Sequence, residues 1–194
     1  MKKYIIILLS ITAIFANYGC EDFLDKNPLD QLSSESFWET ESDAERALMG
    51  VYSRVLSFAT DHHRLDWDAM SDDFYLFGTY GRVDNIAKGL VEPTTGGIVT
   101  SIYVDCYKGI SAANIFLDNI DRVEMDASKS NVYKGEVLFI RALFYFTLTE
   151  FYGGVPLYTE PVAYQDAAVK QKTKAEVVAQ IIADLNESIS YLPD

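Results

Sequence analysis

Between Val137 and Tyr152 the chain places apolar or aromatic residues at 137–140, 142–146, 148, 151 and 152, interrupted only by Arg141, Thr147, Thr149 and Glu150. A helix built from this run is apolar around most of its circumference, so it belongs inside a packed domain rather than on a surface. The run is too short, and with Arg141 and Glu150 too charged, to cross a bilayer, which takes about 20 predominantly apolar residues. Gly153-Gly154 stops the helix, because glycine accepts the left-handed backbone of a helix C-terminus, and Pro156 blocks resumption. Arg141 within such a helix calls for an ion-pair partner, either Glu136 or a residue of a neighbouring helix, before any catalytic role.

Three further helical patterns flank this one. Ser42-Asp43-Ala44-Glu45 reads as a capping box opening a helix from Asp43 to about Phe58, with Ala47, Leu48, Val51, Tyr52, Val55 and Leu56 on its inner face. From Thr100 to about Val123 a second helix buries Ile102, Tyr103, Cys106, Tyr107, Ile110, Ala113, Asn114, Leu117 and Ile120. After a turn at 124–129, the central helix runs from about Asn131 to Tyr152. Thr173-Lys174-Ala175-Glu176 is a second capping box, starting a helix that faces Val177, Val178, Ile181, Ile182, Leu185, Ile189 and Leu192 inward and ends at Pro193. Short connections imply antiparallel neighbours. The fold class is therefore all-α, with tetratricopeptide-like antiparallel helix hairpins and a long irregular loop region at 59–99. Glycines at 78, 81, 89, 96 and 97 punctuate that loop, and its pattern fixes no position for any short element inside it.

Composition bounds the partners. The net charge of -13 opposes nucleic acid, whose backbone attracts basic surfaces. Neither cysteine, Cys20 or Cys106, stands in a metal-binding spacing, and Cys106 reads as a small buried apolar residue. The only histidines, His62-His63, are adjacent on a loop and short of the three or four ligands a metal site needs. Asp72-Asp73 and Glu35, Glu39 and Glu41 fit an acidic surface better than the opposed carboxylates of a glycosidase. No GxSxG, P-loop, Rossmann or HExxH pattern occurs.

Met1-Lys2-Lys3 followed by the apolar run Tyr4–Ala16 has the form of a signal peptide over residues 1–19. Asn17-Tyr18-Gly19-Cys20 resembles the end of a bacterial lipoprotein signal, although Asn17 and Tyr18 stand where that pattern has an aliphatic and a small residue. The resemblance implies lipidation of Cys20, and the acidic run Glu21-Asp22-Phe23-Leu24-Asp25 resembles a tag for the outer face of the outer membrane. Residues 20–41 read as an anchor tether and extended arm, docking through Phe37 and Trp38, and 42–194 as the helical domain.

Five segments in order carry a wider resemblance: the signal with Cys20; FLDKNPLDQLSSESFWETESDAERALMGVYSRV (23–55); YVDCYKGISAANIFLDNI (103–120); GEVLFIRALFYFTLTEFYGGVPLYTEP (135–161); and TKAEVVAQIIADLNESISYLP (173–193). They resemble the N-terminal part of the SusD/RagB family of outer-membrane nutrient-binding lipoproteins. Tyr103 stands where the family has tryptophan. Family members continue well beyond the matched portion, so the resemblance implies a truncated, N-terminal part. It further implies a non-enzymatic, lipid-anchored protein facing the cell exterior that binds oligosaccharide and delivers it to a SusC-like TonB-dependent transporter; the transporter's own machinery supplies the energy, so the resemblance implies no cofactor. The alternative class is a tetratricopeptide-like protein-interaction module without glycan binding, and a surface glycosidase is a third.

Carbohydrate sites set aromatic faces against pyranose rings and flank them with side chains that hydrogen-bond to hydroxyls. The 59–99 loop offers Trp67, Asp68, Tyr75, Tyr80, Arg82, Asp84 and Asn85 as such a set. Each aromatic equally fits an anchor holding the loop to the helices.

Overall fold

The computed structural model describes residues 37–60, 67–72, 74, 83–92, 94–162 and 169–193. The signal segment, Cys20 and most of the 20–41 arm lie outside the described residues, as do His62-His63. Among the described residues there are five α-helices: α1 (Glu41–Thr60), α2 (Val83–Ala87), α3 (Ile98–Asn119), α4 (Ala127–Tyr152) and α5 (Lys174–Tyr191), with a 3-10 turn Ile120–Arg122 closing α3. Among the described residues there are no strands, only isolated bridges pairing Thr40 with Glu124 and Pro156 with Gln171. No helix of the described residues is long and apolar enough to cross a membrane.

The central run forms α4 and is packed by three helices, but its burial is incomplete, because Phe139, Phe146 and Phe151 remain exposed. α3 packs antiparallel to it: the Tyr152 hydroxyl donates to the Val99 carbonyl at one end, and Lys134 pairs with Asp121 at the other. α5 packs antiparallel on another side, from the Lys174–Glu150 pair (2.9 Å) to the Ser188 hydroxyl bonded to the Gly135 carbonyl (2.7 Å). α1 runs in the same direction as α4, tied by Lys129 to Glu41 at its start and by the edge-to-face pair Phe58–Phe144 (5.9 Å) near its end. Trp38, ahead of α1, buries its ring edge-on against Phe116 at 5.7 Å.

Two close approaches set these helices in place. A Cβ on Gly109 of α3 would sit 2.2 Å from the Phe144 ring, so only glycine lets this fully buried phenylalanine press against α3. Gly153 takes φ 73° at the end of α4, and a Cβ on Gly154 would meet the Lys172 carbonyl at 2.3 Å. The two glycines thus do different jobs: one reverses the chain, and the other lets it pass against 171–172, where Lys172 N–H donates to the Val155 carbonyl at 3.0 Å.

Several expectations need correction. α1 begins two residues early: Thr40, not Ser42, flanks it, and both the N–H and hydroxyl of Thr40 donate to Asp43 Oδ2 (2.9 and 2.6 Å). Glu45 turns instead to Lys129 and Tyr133. α4 begins at Ala127 rather than Asn131, because the Asp126 side chain accepts from Lys129 N–H and caps a polar first turn that carries no apolar period. The inner face of α1 is Ala44, Leu48, Val51 and Phe58, while Leu56 is 63% exposed and Tyr52 points its hydroxyl at Glu136. On α5 the face toward α4 is Val177, Ile181, Asp184 and Ser188, and Ile182 and Ile189 are exposed. The Thr173–Glu176 capping box of α5 is present in both halves.

Candidate functional site

The expected site residues divide into three groups. Tyr75, Tyr80 and Arg82 lie outside the described residues. Trp67 and Asp68 share a helical turn, in which Met70 N–H donates to the Trp67 carbonyl and Ser71 to the Asp68 carbonyl. The Trp67 ring packs at 5.9 Å from Phe58 and 5.5 Å from Phe151, yet remains 40% exposed. One part of the indole therefore anchors the turn to α1 and α4 while another faces solvent. Asp84 and Asn85 lie on α2, held by buried Val83, and Asp84 pairs with Lys88 at 3.4 Å. Among the described residues no hydrogen bond or ring contact joins Trp67 and Asp68 to Asp84 and Asn85.

A cavity away from these residues lies along α3. It measures about 1010 Å³ and is bounded by Arg54 of α1, by Tyr103, Tyr107, Lys108 and Ser111 of α3, and by Tyr158, Glu160, Pro161 and Val162 of the segment after α4. Its tyrosines pack on one another: Tyr103 and Tyr107 at 4.8 Å, Tyr107 and Tyr158 edge-on at 5.8 Å, with Tyr152 edge-on to Tyr103 behind them at 5.2 Å. A second cavity of about 430 Å³ shares Tyr158, Glu160, Pro161 and Val162 with the first.

A buried polar network fixes the wall of this groove. Arg141 donates from Nε and Nη2 to both carboxylate oxygens of Asp184, at 2.8 and 2.7 Å, and from Nη1 to Asn114 Oδ1 (2.9 Å) and the Thr159 carbonyl (3.1 Å). The Asn114 amide donates to the carbonyls of Tyr158 and Glu160 at 3.0 and 3.2 Å. The Tyr145 hydroxyl accepts from Tyr158 N–H and donates to its carbonyl (2.7 and 2.8 Å), and the Tyr107 hydroxyl donates to the Pro156 carbonyl at 2.7 Å. Burial raises the phenol pKa of both Tyr107 and Tyr145 well above the usual range, so both hydroxyls stay protonated and available as donors. Four carbonyls of the segment after α4 are thus satisfied by side chains from α3 and α4. Of the two partners foreseen for Arg141, the neighbouring helix supplies the actual one.

The groove residues were legible only as part of a buried stripe. The pair Tyr103 and Tyr107, four apart and flanked by Lys108 and Ser111, was the available signal, but the opposing wall comes from residues some 50 positions later.

Residues 22–194 match the family model for SusD-like proteins, described as starch-binding and associating with the outer membrane. The chain belongs to the SusD-like family. Among its SusD-like relatives are two proteins of Formosa agariphila: P25, 28% identical over 96% of this chain and 37% of its own length, and P2, 30% identical over the whole of this chain and 39% of its own. A laminarin-binding SusD-like protein of known structure superposes with a TM-score of 0.73 at 30% identity, covering 80% of this chain and 35% of that one. A SusD-like carbohydrate-binding protein from Bacteroides vulgatus gives 0.69 at 27% identity, covering 80% and 36%. This SusD-like chain therefore spans a little over a third of the length of these relatives.

Proposed function

We propose that this chain is part of a non-enzymatic, lipid-anchored glycan-binding protein that delivers oligosaccharide to a SusC-like TonB-dependent transporter at the outer membrane. The observation carrying the reading is the family match over residues 22–194, joined by two structural relatives whose names specify laminarin or carbohydrate binding. In this reading residues 1–19 are removed on export, Cys20 carries the acyl chains that hold the protein to the membrane, 20–41 is the tether, and 42–194 is the helical body. The half-open face of Trp67 stacks on a sugar ring, with Asp68, Tyr75, Tyr80, Arg82, Asp84 and Asn85 supplying further stacking and hydrogen bonds.

A glycan array probed with the purified protein tests the binding, and mass spectrometry of the exported chain tests the anchor. Binding to at least one glycan class and an acylated Cys20 are expected. An unmodified Cys20 removes the anchor. The second reading, a tetratricopeptide-like protein-interaction module, is favoured by the exposed apolar side chains Phe139 and Phe146 of α4 and Ile182 and Ile189 of α5. Co-purification of a transporter together with a blank array selects it.

A further inference from the structure

We infer that the groove over α3 is a glycan subsite separate from the Trp67 turn, taking an uncharged chain of pyranose rings; this rests on the glycan-binding reading above. Three features select that ligand. Its floor is Tyr103, Tyr107 and Tyr158, half-buried rings that offer apolar surface to the C–H faces of a sugar. Its lining holds the Arg54 guanidinium and the Glu160 carboxylate, and among the described residues neither has a hydrogen-bond or ion-pair partner, so the groove offers both a donor and an acceptor. Lys108 is already engaged by Asp105 at 3.0 Å. A lining that carries one charge of each sign favours neither a polyanion nor a polycation, whereas hydroxyls can both donate to it and accept from it.

The groove is also built to stay open. The backbone from Tyr158 to Glu160 is held from behind by Arg141, Asn114 and Tyr145, and Tyr107 is pinned to Pro156, so the wall need not be ordered when ligand arrives. The volume of about 1010 Å³ lies at the upper end of the range for small-molecule sites. The smaller cavity shares Tyr158, Glu160, Pro161 and Val162 with it, which adds lining for a ligand of several rings.

The test is calorimetric titration of laminarin and of soluble starch into the wild-type protein, Ser111→Trp, the double variant Arg54→Ala/Glu160→Ala, and Trp67→Ala. Ser111 is exposed on the groove-facing side of α3, so a tryptophan there fills the groove without touching the core. Expected is saturable binding by wild type that falls about tenfold or more in both groove variants, the size of losing charge-assisted hydrogen bonds. Wild-type binding unchanged in both groove variants but lost in Trp67→Ala overturns the groove and leaves the glycan reading standing. No binding of either polysaccharide by wild type overturns both. A change in solution mass of Ser111→Trp without a change in affinity assigns the groove to a second copy of the chain and overturns the proposal.

Discussion

Arg141 meets Asp184 across the α4–α5 interface through two parallel hydrogen bonds, with the side chains only 7% and 2% exposed. The same guanidinium reaches Asn114 and the Thr159 carbonyl, so one residue joins three elements that are far apart in sequence. Arg141→Ala leaves the Asp184 carboxylate buried without its counter-charge and is expected to cost about 3–5 kcal/mol. Arg141→Lys loses the fork geometry and recovers only part of this. The double variant Arg141→Met/Asp184→Leu should regain much of the stability in urea melts while leaving the Thr159 carbonyl without its donor, and a stability equal to that of Arg141→Ala would count against this account.

Gly109 and Gly50 both lie within helices and should respond in opposite ways to alanine. At Gly50 a Cβ meets nothing within 4 Å, and Gly50→Ala should stabilise by about 0.5–1 kcal/mol through helix propensity. At Gly109 the new methyl collides with Phe144, and the propensity gain is outweighed by overpacking of about 1–3 kcal/mol. Thermal melts of the two variants decide; shifts of the same sign would contradict the α3–α4 packing described.

Two helix starts carry carboxylates whose pKa is held below the usual range. The hydrogen bonds of Thr40 lower Asp43, its hydroxyl first and its N–H second, and the backbone N–H of Thr173 does the same to Glu176 ahead of its hydroxyl and Lys172. A depressed folded-state pKa means stability that is present above the ordinary carboxylate pKa, about 4, and is lost as pH falls through the folded value. Asp43→Asn and Glu176→Gln should therefore be less stable than wild type at pH 7 and converge with it in strong acid. A constant difference down to pH 2 would rule out this linkage.

The Cys106 thiol is fully enclosed in α3, and burial, with Asp105 beside it, pushes its pKa up to about 12. A raised folded value means that its contribution is complete below the unfolded thiol pKa, about 8.5, and is lost progressively as pH rises toward the folded one. In a Cys20→Ser background, iodoacetamide at pH 8 should leave Cys106 unmodified in the native protein and label it in urea. Cys106→Ala should lessen the loss of stability between pH 8.5 and 11. Rapid native labelling would contradict the burial.

Helices α1, α3, α4 and α5 are readable from their apolar residues and, for two of them, from boundary signals: Gly153 and Pro156 after α4, and the Thr173–Glu176 box before α5. At the start of α1 two capping patterns overlap, and Thr40 with Asp43 wins once Glu45 is drawn to Lys129 and Tyr133 on another helix. The stripe showed which faces are apolar but not which find a partner: Ile189, placed inward by its spacing, is 73% exposed, as the α4-facing surface of α5 is narrower than its apolar face. The groove over α3 was hidden for a different reason. It exists because Asn114, Tyr145 and Arg141 hold a segment that has no periodic pattern, and such long-range side-chain-to-backbone bonds leave no local signature.

The claim that this chain binds glycan is tested most directly by native gel electrophoresis in gels cast with and without laminarin or soluble starch. Mobility should fall in at least one polysaccharide gel relative to the plain gel and to a non-binding standard. Equal mobility in all three gels would contradict the account.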